Sequence, residues 1–308
     1  MIKMRAQQKW LWDHAVYLFF GGLGGAAYVI GAIAGFLGPQ WDPIARTGVS
    51  TGFPAVAVGS LFLFLGLGAP SRAVHAWKCP GTSWISRGVL FITVFMVAAI
   101  LHLGLWIWPF RMLEDAMGFR MLISVIGIIS GFAVMTYTGF LLGASRPIAF
   151  WSTGILPVLF LSSALVSGVL AVLLLTSIRG GVSDDILLAL EWGAIVLIIA
   201  QALVLTFHMQ ATHRVPEGKA AASILMKETG ANLFWLGTVG LGIFIPLILL
   251  LLVVSATVPG GPGTMDTMVI VASLAGLLGN LFLRETVLKG GVLARLKAGR
   301  FEYVVTSP

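Results

Sequence analysis

The chain has a single cysteine, Cys79, in 308 residues. One thiolate holds neither an iron–sulfur cluster nor a structural zinc, and it excludes an internal disulfide. Charge is scarce as well. Asp, Glu, Lys and Arg make up 10% of the residues, against 58% hydrophobic, and the mean hydropathy is +0.99. A water-soluble domain of this length needs far more charge on its surface. The net charge of +7 is therefore no nucleic-acid footprint; it belongs to basic loops at a membrane surface.

What the sequence has in abundance is long apolar stretches. Eight can be read, at about 13–37, 50–69, 86–108, 118–143, 151–176, 184–209, 229–256 and 266–287. Each approaches the roughly 20 residues that cross a hydrocarbon core as a helix. The expected fold is an all-α membrane protein of about eight transmembrane helices. Two four-helix bundles are expected, residues 1–150 and residues 151–308 with a basic C-terminal tail. The first stretch is longer than a signal-peptide core and no small-residue cleavage site follows it, so it reads as a retained span. An even count places both termini on one side. That side carries all but Arg46, Arg111, Arg120 and Arg179 of the 19 Lys and Arg, hence 19 − 4 = 15. The positive-inside rule makes it cytoplasmic. Trp41, Trp106 and Trp108, near span ends on the opposite side, read as interface anchors.

The first span opens on Asp13, His14 and Tyr17 and then carries Gly21, Gly22, Gly24, Gly25, Gly31 and Gly35. Gly21/Gly25 and Gly31/Gly35 lie four apart, which places each pair on one face and admits a close neighbour. The polar trio costs free energy in lipid unless it faces protein, water or a ligand. Gly66 and Gly68 end the second span on the same side, and Tyr137 lies near that end of the fourth. A pocket there would have hydrogen-bonding groups at its head and aliphatic walls leading into lipid. That chemistry suits a quinone, a flat ring with two carbonyls and an isoprenoid tail. Asp13 and His14 are candidate proton acceptors and Tyr137 a candidate donor. Simpler roles are open to the same residues. Asp favours a first helical turn, and His or Tyr at a span end also serves as an interface residue.

Other ionisable groups are few. His102 lies nearer the far side and His208 nearer the first, so they do not form a haem-ligating pair at one depth. Glu191 and Arg120 read as interfacial residues that snorkel to the headgroups. Arg284–Glu285 reads as a helix-end charge pair.

The stretch Tyr17-Leu-Phe-Phe-Gly-Gly-Leu-Gly-Gly-Ala-Ala-Tyr28 resembles the first helix of the NrfD/PsrC family of membrane subunits. Pro80-Gly-Thr-Ser-Trp-Ile-Ser-Arg-Gly88 is similar to that family's loop between spans two and three, and Tyr137-Thr-Gly-Phe-Leu-Leu-Gly143 to its fourth span. The resemblance implies an integral subunit of a respiratory oxidoreductase in a prokaryotic inner membrane. It implies a site for menaquinone or ubiquinone, with neither haem nor iron–sulfur cluster in this chain. It implies two partners, a four-cluster ferredoxin-like iron–sulfur subunit and a large catalytic subunit of the molybdopterin type. Carried over by position, the family's quinone residues become His14 or Tyr17, Asp13, Gly66 or Gly68, and Tyr137. One departure is plain. Where the family reads Asp-Leu-Gly-Arg-Pro after the second span, this sequence reads Leu67-Gly68-Ala69-Pro70-Ser71-Arg72. The rival readings are a polytopic secondary transporter, which calls for a polar site near the midplane, and a haem b anchor, which calls for matched histidines.

Overall fold

The computed structural model describes residues 7, 10, 12–66, 81, 83–106, 117–145, 147–255, 262–293, 296–298 and 301–303, the backbone alone for 262–264, 296–298 and 301–303. Among the described residues, eight helices are long and apolar enough to cross a membrane. They are α1 (Trp12–Ala34), α2 (Asp42–Gly66), α3 (Trp84–Gly104), α4 (Met117–Gly143), α5 (Leu156–Arg179), α6 (Asp184–Thr212), a seventh span over Leu233–Val254, and α9 (Pro262–Lys289). The seventh span starts as a π-helix, Leu233–Phe244, and continues as α8, Ile245–Val254. The short helix α7 (Pro216–Lys227) joins α6 to it.

The first span is the centre of the molecule. α1 packs against α2, α4, α5 and α9, and its glycines decide how closely. A Cβ at Gly24 would stand 2.8 Å from the Gly52 carbonyl oxygen, and one at Gly31 2.7 Å from the Val49 nitrogen. From the other side, a Cβ at Gly48 would stand 2.6 Å from the Gly31 Cα. The α1–α2 contact is therefore backbone against backbone, which only glycine permits. The pairs expected four apart do not act as pairs. Gly25 faces the Gly131 carbonyl of α4, Gly31 faces α2, and Gly21 has nothing within 4 Å. The working face is Gly24–Gly31, seven apart, so it stays aligned with α2 over two turns.

Two boundaries differ from expectation for local reasons. The second span begins near residue 39 rather than 50. Gly38, at φ 113°, breaks α1 from a short 3₁₀ turn at Pro39–Trp41, and Asp42 then opens α2. Arg46 thus lies inside a helix and not in a loop. Its polar neighbours are satisfied locally, with Thr51 Oγ1 donating to the Thr47 carbonyl at 2.7 Å. The resemblance places residues 80–88 in a loop, yet Trp84 to Gly88 form the start of α3. Ser83 caps that helix, its Oγ accepting from the Ser86 N–H at 3.4 Å.

On the side where α1 starts, the two ends of the protein meet. The Gln7 N–H donates to the Gly291 carbonyl at 2.7 Å, and Ile148 bridges Leu293. Beyond the spans, β1 (Leu296–Ala298) pairs antiparallel with β2 (Phe301–Tyr303), an addition to the all-helical expectation. Helix α7 lies on this side too. It buries Gly218, Ala221, Ala222 and Leu225 and exposes Lys219 and Lys227.

Gly48→Ala should destabilise the protein by about 1–3 kcal/mol, the cost of an extra methyl in a closed contact. Gly21→Ala should leave stability unchanged or raise it by up to about 1 kcal/mol. Unfolding of both variants in detergent tests the contrast.

Candidate functional site

Four helices bring the expected residues to one end of the molecule. At the start of α1, His14 Nδ1 stands 2.9 Å from Asp13 Oδ1, with both side chains partly exposed. With the carboxylate ionised, Nδ1–H is the donor, and Nε2 is left as an acceptor. The Trp10 ring lies 4.9 Å from the imidazole. Trp10 is itself held by Gln7, whose Oε1 accepts from the Trp10 N–H at 2.7 Å. The end of α2 closes over the pair. A Cβ at Gly66 would stand 3.1 Å from Asp13 Oδ2 and 3.4 Å from His14 Cε1. Any larger residue there would crowd the carboxylate and the ring.

Tyr17, one turn further along α1, is buried at 3% exposure. Tyr137 of α4 is buried to the same extent and belongs to the same apolar cluster, against which Phe62, Leu63 and Phe91 also pack. Its ring lies on the bare backbone of Gly88 in α3, where a Cβ would stand 2.8 Å from Tyr137 Cδ2. Phe91 meets it edge-on at 6.4 Å. The Tyr137 hydroxyl is buried and has no hydrogen-bond partner among the described residues. An unpaired buried hydroxyl costs about 1–3 kcal/mol, so this atom is the one at the site that calls for a ligand.

The structure thus joins Asp13, His14 and Gly66 in direct contact and buries Tyr17 and Tyr137, each on its own helix, within the core that runs through the protein. Gly68 lies outside the described residues. Two contributors carry no signal in the sequence alone, Trp10 and Gly88. Gly88 closes the run Thr82-Ser-Trp-Ile-Ser-Arg-Gly88 that carries the resemblance, and its role against Tyr137 needs α3 and α4 side by side.

Three other expectations change. Arg284 is not a helix-end partner of Glu285. It is 2% exposed, its Nη2 donates to the Phe160 carbonyl at 3.0 Å, and its guanidinium lies 3.9 Å over the Phe160 ring. Glu285 pairs with Lys289 at 2.7 Å instead. α9 runs on past both residues, and that turns Arg284 inward. Glu191 does not snorkel either; it is 7% exposed and faces a cavity shared with Asp184, Asp185 and Asp266. Polar groups are also not confined to one surface, since Gln201, Ser273 and Asn280 are buried well inside their spans. His208 is buried, with Nδ1 3.1 Å from Thr153 Oγ1, and makes no contact with His14. Among the described residues no three His, Cys, Asp or Glu come together as metal ligands.

Eight apolar helices, four of which converge on an acid–imidazole pair and an unpaired phenol, define a multi-pass membrane protein with a candidate ligand site at one surface. The chain belongs to the NrfD polysulphide reductase family, whose model matches residues 1–294. It is similar to the C polypeptide of the polysulfide reductase of Wolinella succinogenes, 28% identical over 306 residues, covering 92% of this sequence and 94% of the relative. It is similar to the same degree to protein NrfD of Escherichia coli K12, 28% over 325 residues, covering 92% and 95%. The C polypeptide of the selenate reductase of Mesobacillus selenatarsenatis is 25% identical over 278 residues, covering 76% of this sequence and 64% of that protein.

Tyr137→Phe removes an unsatisfied hydroxyl and keeps the ring on Gly88. In delipidated, ligand-free detergent the variant should unfold at the wild-type temperature or above it. Unfolding well below wild type would mean that the hydroxyl has a protein partner after all.

Proposed function

We propose that this protein is the quinone-reactive membrane subunit of a respiratory reductase complex. In this reading it exchanges electrons between menaquinone or ubiquinone and a four-cluster ferredoxin-like iron–sulfur subunit, itself joined to a large catalytic subunit of the molybdopterin type. The observation that carries the quinone assignment is the orphaned Tyr137 hydroxyl of α4, a helix packed against the α1 that carries Asp13 and His14. Two relatives are named as lettered components of larger enzymes, a polysulfide reductase and a selenate reductase. Those names support the assignment to a multi-subunit reductase.

The residues fit the group. A bound quinone supplies reversible two-electron, two-proton chemistry. Tyr137 would donate a hydrogen bond to one ring oxygen, which would satisfy the hydroxyl and hold the ring. His14 Nε2 would take one of the two protons that leave a quinol, its imidazolium stabilised by the Asp13 carboxylate on Nδ1, and Asp13 Oδ2 would take the other. The pair is partly exposed, so the proton passes on to water at that surface. Gly66 leaves room beside the pair. Tyr17 walls the site from the α1 side.

All of these residues come from the first half of the sequence. The reading therefore keeps the division into residues 1–150, a bundle that carries the site, and residues 151–308. It also makes the side of the termini cytoplasmic, since that side holds 15 of the 19 Lys and Arg. The iron–sulfur subunit docks there, over the exposed Lys219 and Lys227 of α7 and the basic tail, so that electrons stay at one surface.

Tyr137→Phe should lower quinol-linked turnover about tenfold, the value of one hydrogen bond of about 1.4 kcal/mol. His14→Ala should lower it by about 10²-fold or more. Assembly and the dye-linked activity of the catalytic subunit should stay intact in both. Wild-type quinone kinetics in Tyr137→Phe would remove Tyr137 from the site. Purification in mild detergent should bring a cysteine-rich subunit along; a protein that comes away alone, without quinone, would sink the assignment.

A further inference from the structure

At the opposite end of α1, a second cavity of about 440 Å³ opens between α1, α2, α3 and α4. Gly31 and Gly35 form its floor, Phe36 and Trp106 are apolar walls, and Arg120 and His102 are its polar groups. The Arg120 guanidinium lies over bare backbone, its Nη2 3.5 Å from where a Cβ on Gly35 would stand. Arg120 has no hydrogen bond or ion pair among the described residues. His102 is 3% exposed, and its Nδ1 is taken by the Tyr28 hydroxyl at 3.0 Å. Only Nε2 is left for the cavity. Beside the cavity, the Arg46 guanidinium stacks 5.2 Å from the Trp106 ring. No carboxylate among the described residues lines the space.

We propose that this cavity binds the phosphate of an anionic phospholipid, with Arg120 as counter-charge and His102 Nε2 as a second polar contact. Two features choose this occupant. The lining carries a fixed cation without an anion among the described residues, and a guanidinium at a span end reaches headgroup level, where lipid phosphates lie. The walls are also open, for Phe36, just past the end of α1, and Met121, near the start of α4, are 50% and 57% exposed. The acyl tails run along the two side chains while the phosphate meets the guanidinium, the usual partner of a phosphate oxygen pair. A free inorganic anion would leave the apolar walls unused. A neutral amphiphile would leave the guanidinium uncompensated. The lipid site does not rest on the quinone reading, because it uses none of the residues at the other surface.

The test compares phosphatidylglycerol, phosphatidylcholine of the same acyl composition, and inorganic phosphate on the purified protein, read by lipid adducts in native mass spectrometry and by thermal unfolding. Phosphatidylglycerol should be retained several-fold over phosphatidylcholine and should raise the unfolding temperature, whereas inorganic phosphate should do neither. Arg120→Gln should abolish the preference and Arg120→Lys should restore part of it. Equal retention of the two lipids by the wild type, or an undiminished preference in Arg120→Gln, overturns the proposal. So does stabilisation by inorganic phosphate alone, which would make this a site for free anions. The wild-type competition decides the case even if Arg120→Gln fails to fold.

Discussion

The structure depends on one close approach, that of the α1 backbone to the α2 backbone at Gly24, Gly31, Gly48 and Gly52. In lipid no hydrophobic force draws helices together, so association rests on van der Waals contact and on small residues that allow it. With α2 held this close, α1 becomes the hub that α4, α5 and α9 also touch. The same approach sets both ends of the first four spans. At one end it brings Gly66 onto Asp13 and His14. At the other, the missing side chain of Gly35 leaves the space that Arg120 overhangs.

The two ends are chemically different because their charges are handled differently. At the start of α1 the carboxylate and the imidazole satisfy each other and remain within reach of water. At the far end, among the described residues, a guanidinium is unpaired and no acid lines the cavity. One suits proton exchange with a neutral ring. The other suits a permanent anion. Between them, Tyr28 and His102 hold each other inside the bundle, and Tyr137 keeps a hydroxyl that no group among the described residues answers.

The span count, the all-helical class and the family were legible in the sequence, because a hydrocarbon core imposes a length and a composition that no turn can hide. The clustering of Asp13, His14 and Gly66 was legible from their shared depth. What was not legible depends on helix rotation and on neighbours. Gly88 against Tyr137, Trp10 against His14 and the inward turn of Arg284 each need two elements in register, and hydropathy carries no register. The early start of α2 was hidden by Arg46 and Thr47, which lie ahead of the expected start near 50. A helix carries them, and the Ser50 and Thr51 hydroxyls bond back to their carbonyls. The seventh span gave no sign of its π-helical half beyond Gly237, Gly240 and Gly242, where the Ile245 N–H reaches back to the Gly240 carbonyl.

The central claim is that a quinone head lies between Tyr137 and the Asp13–His14 pair, and photo-crosslinking tests it most directly. The intact complex would be labelled with an azidoquinone carrying an isoprenoid tail, and the modified peptides mapped. The account predicts label on the start of α1, the end of α2, or α3 and α4 around Gly88 and Tyr137, lost when native quinone is in excess. Label confined to α5–α9, or label that native quinone does not displace, would contradict it.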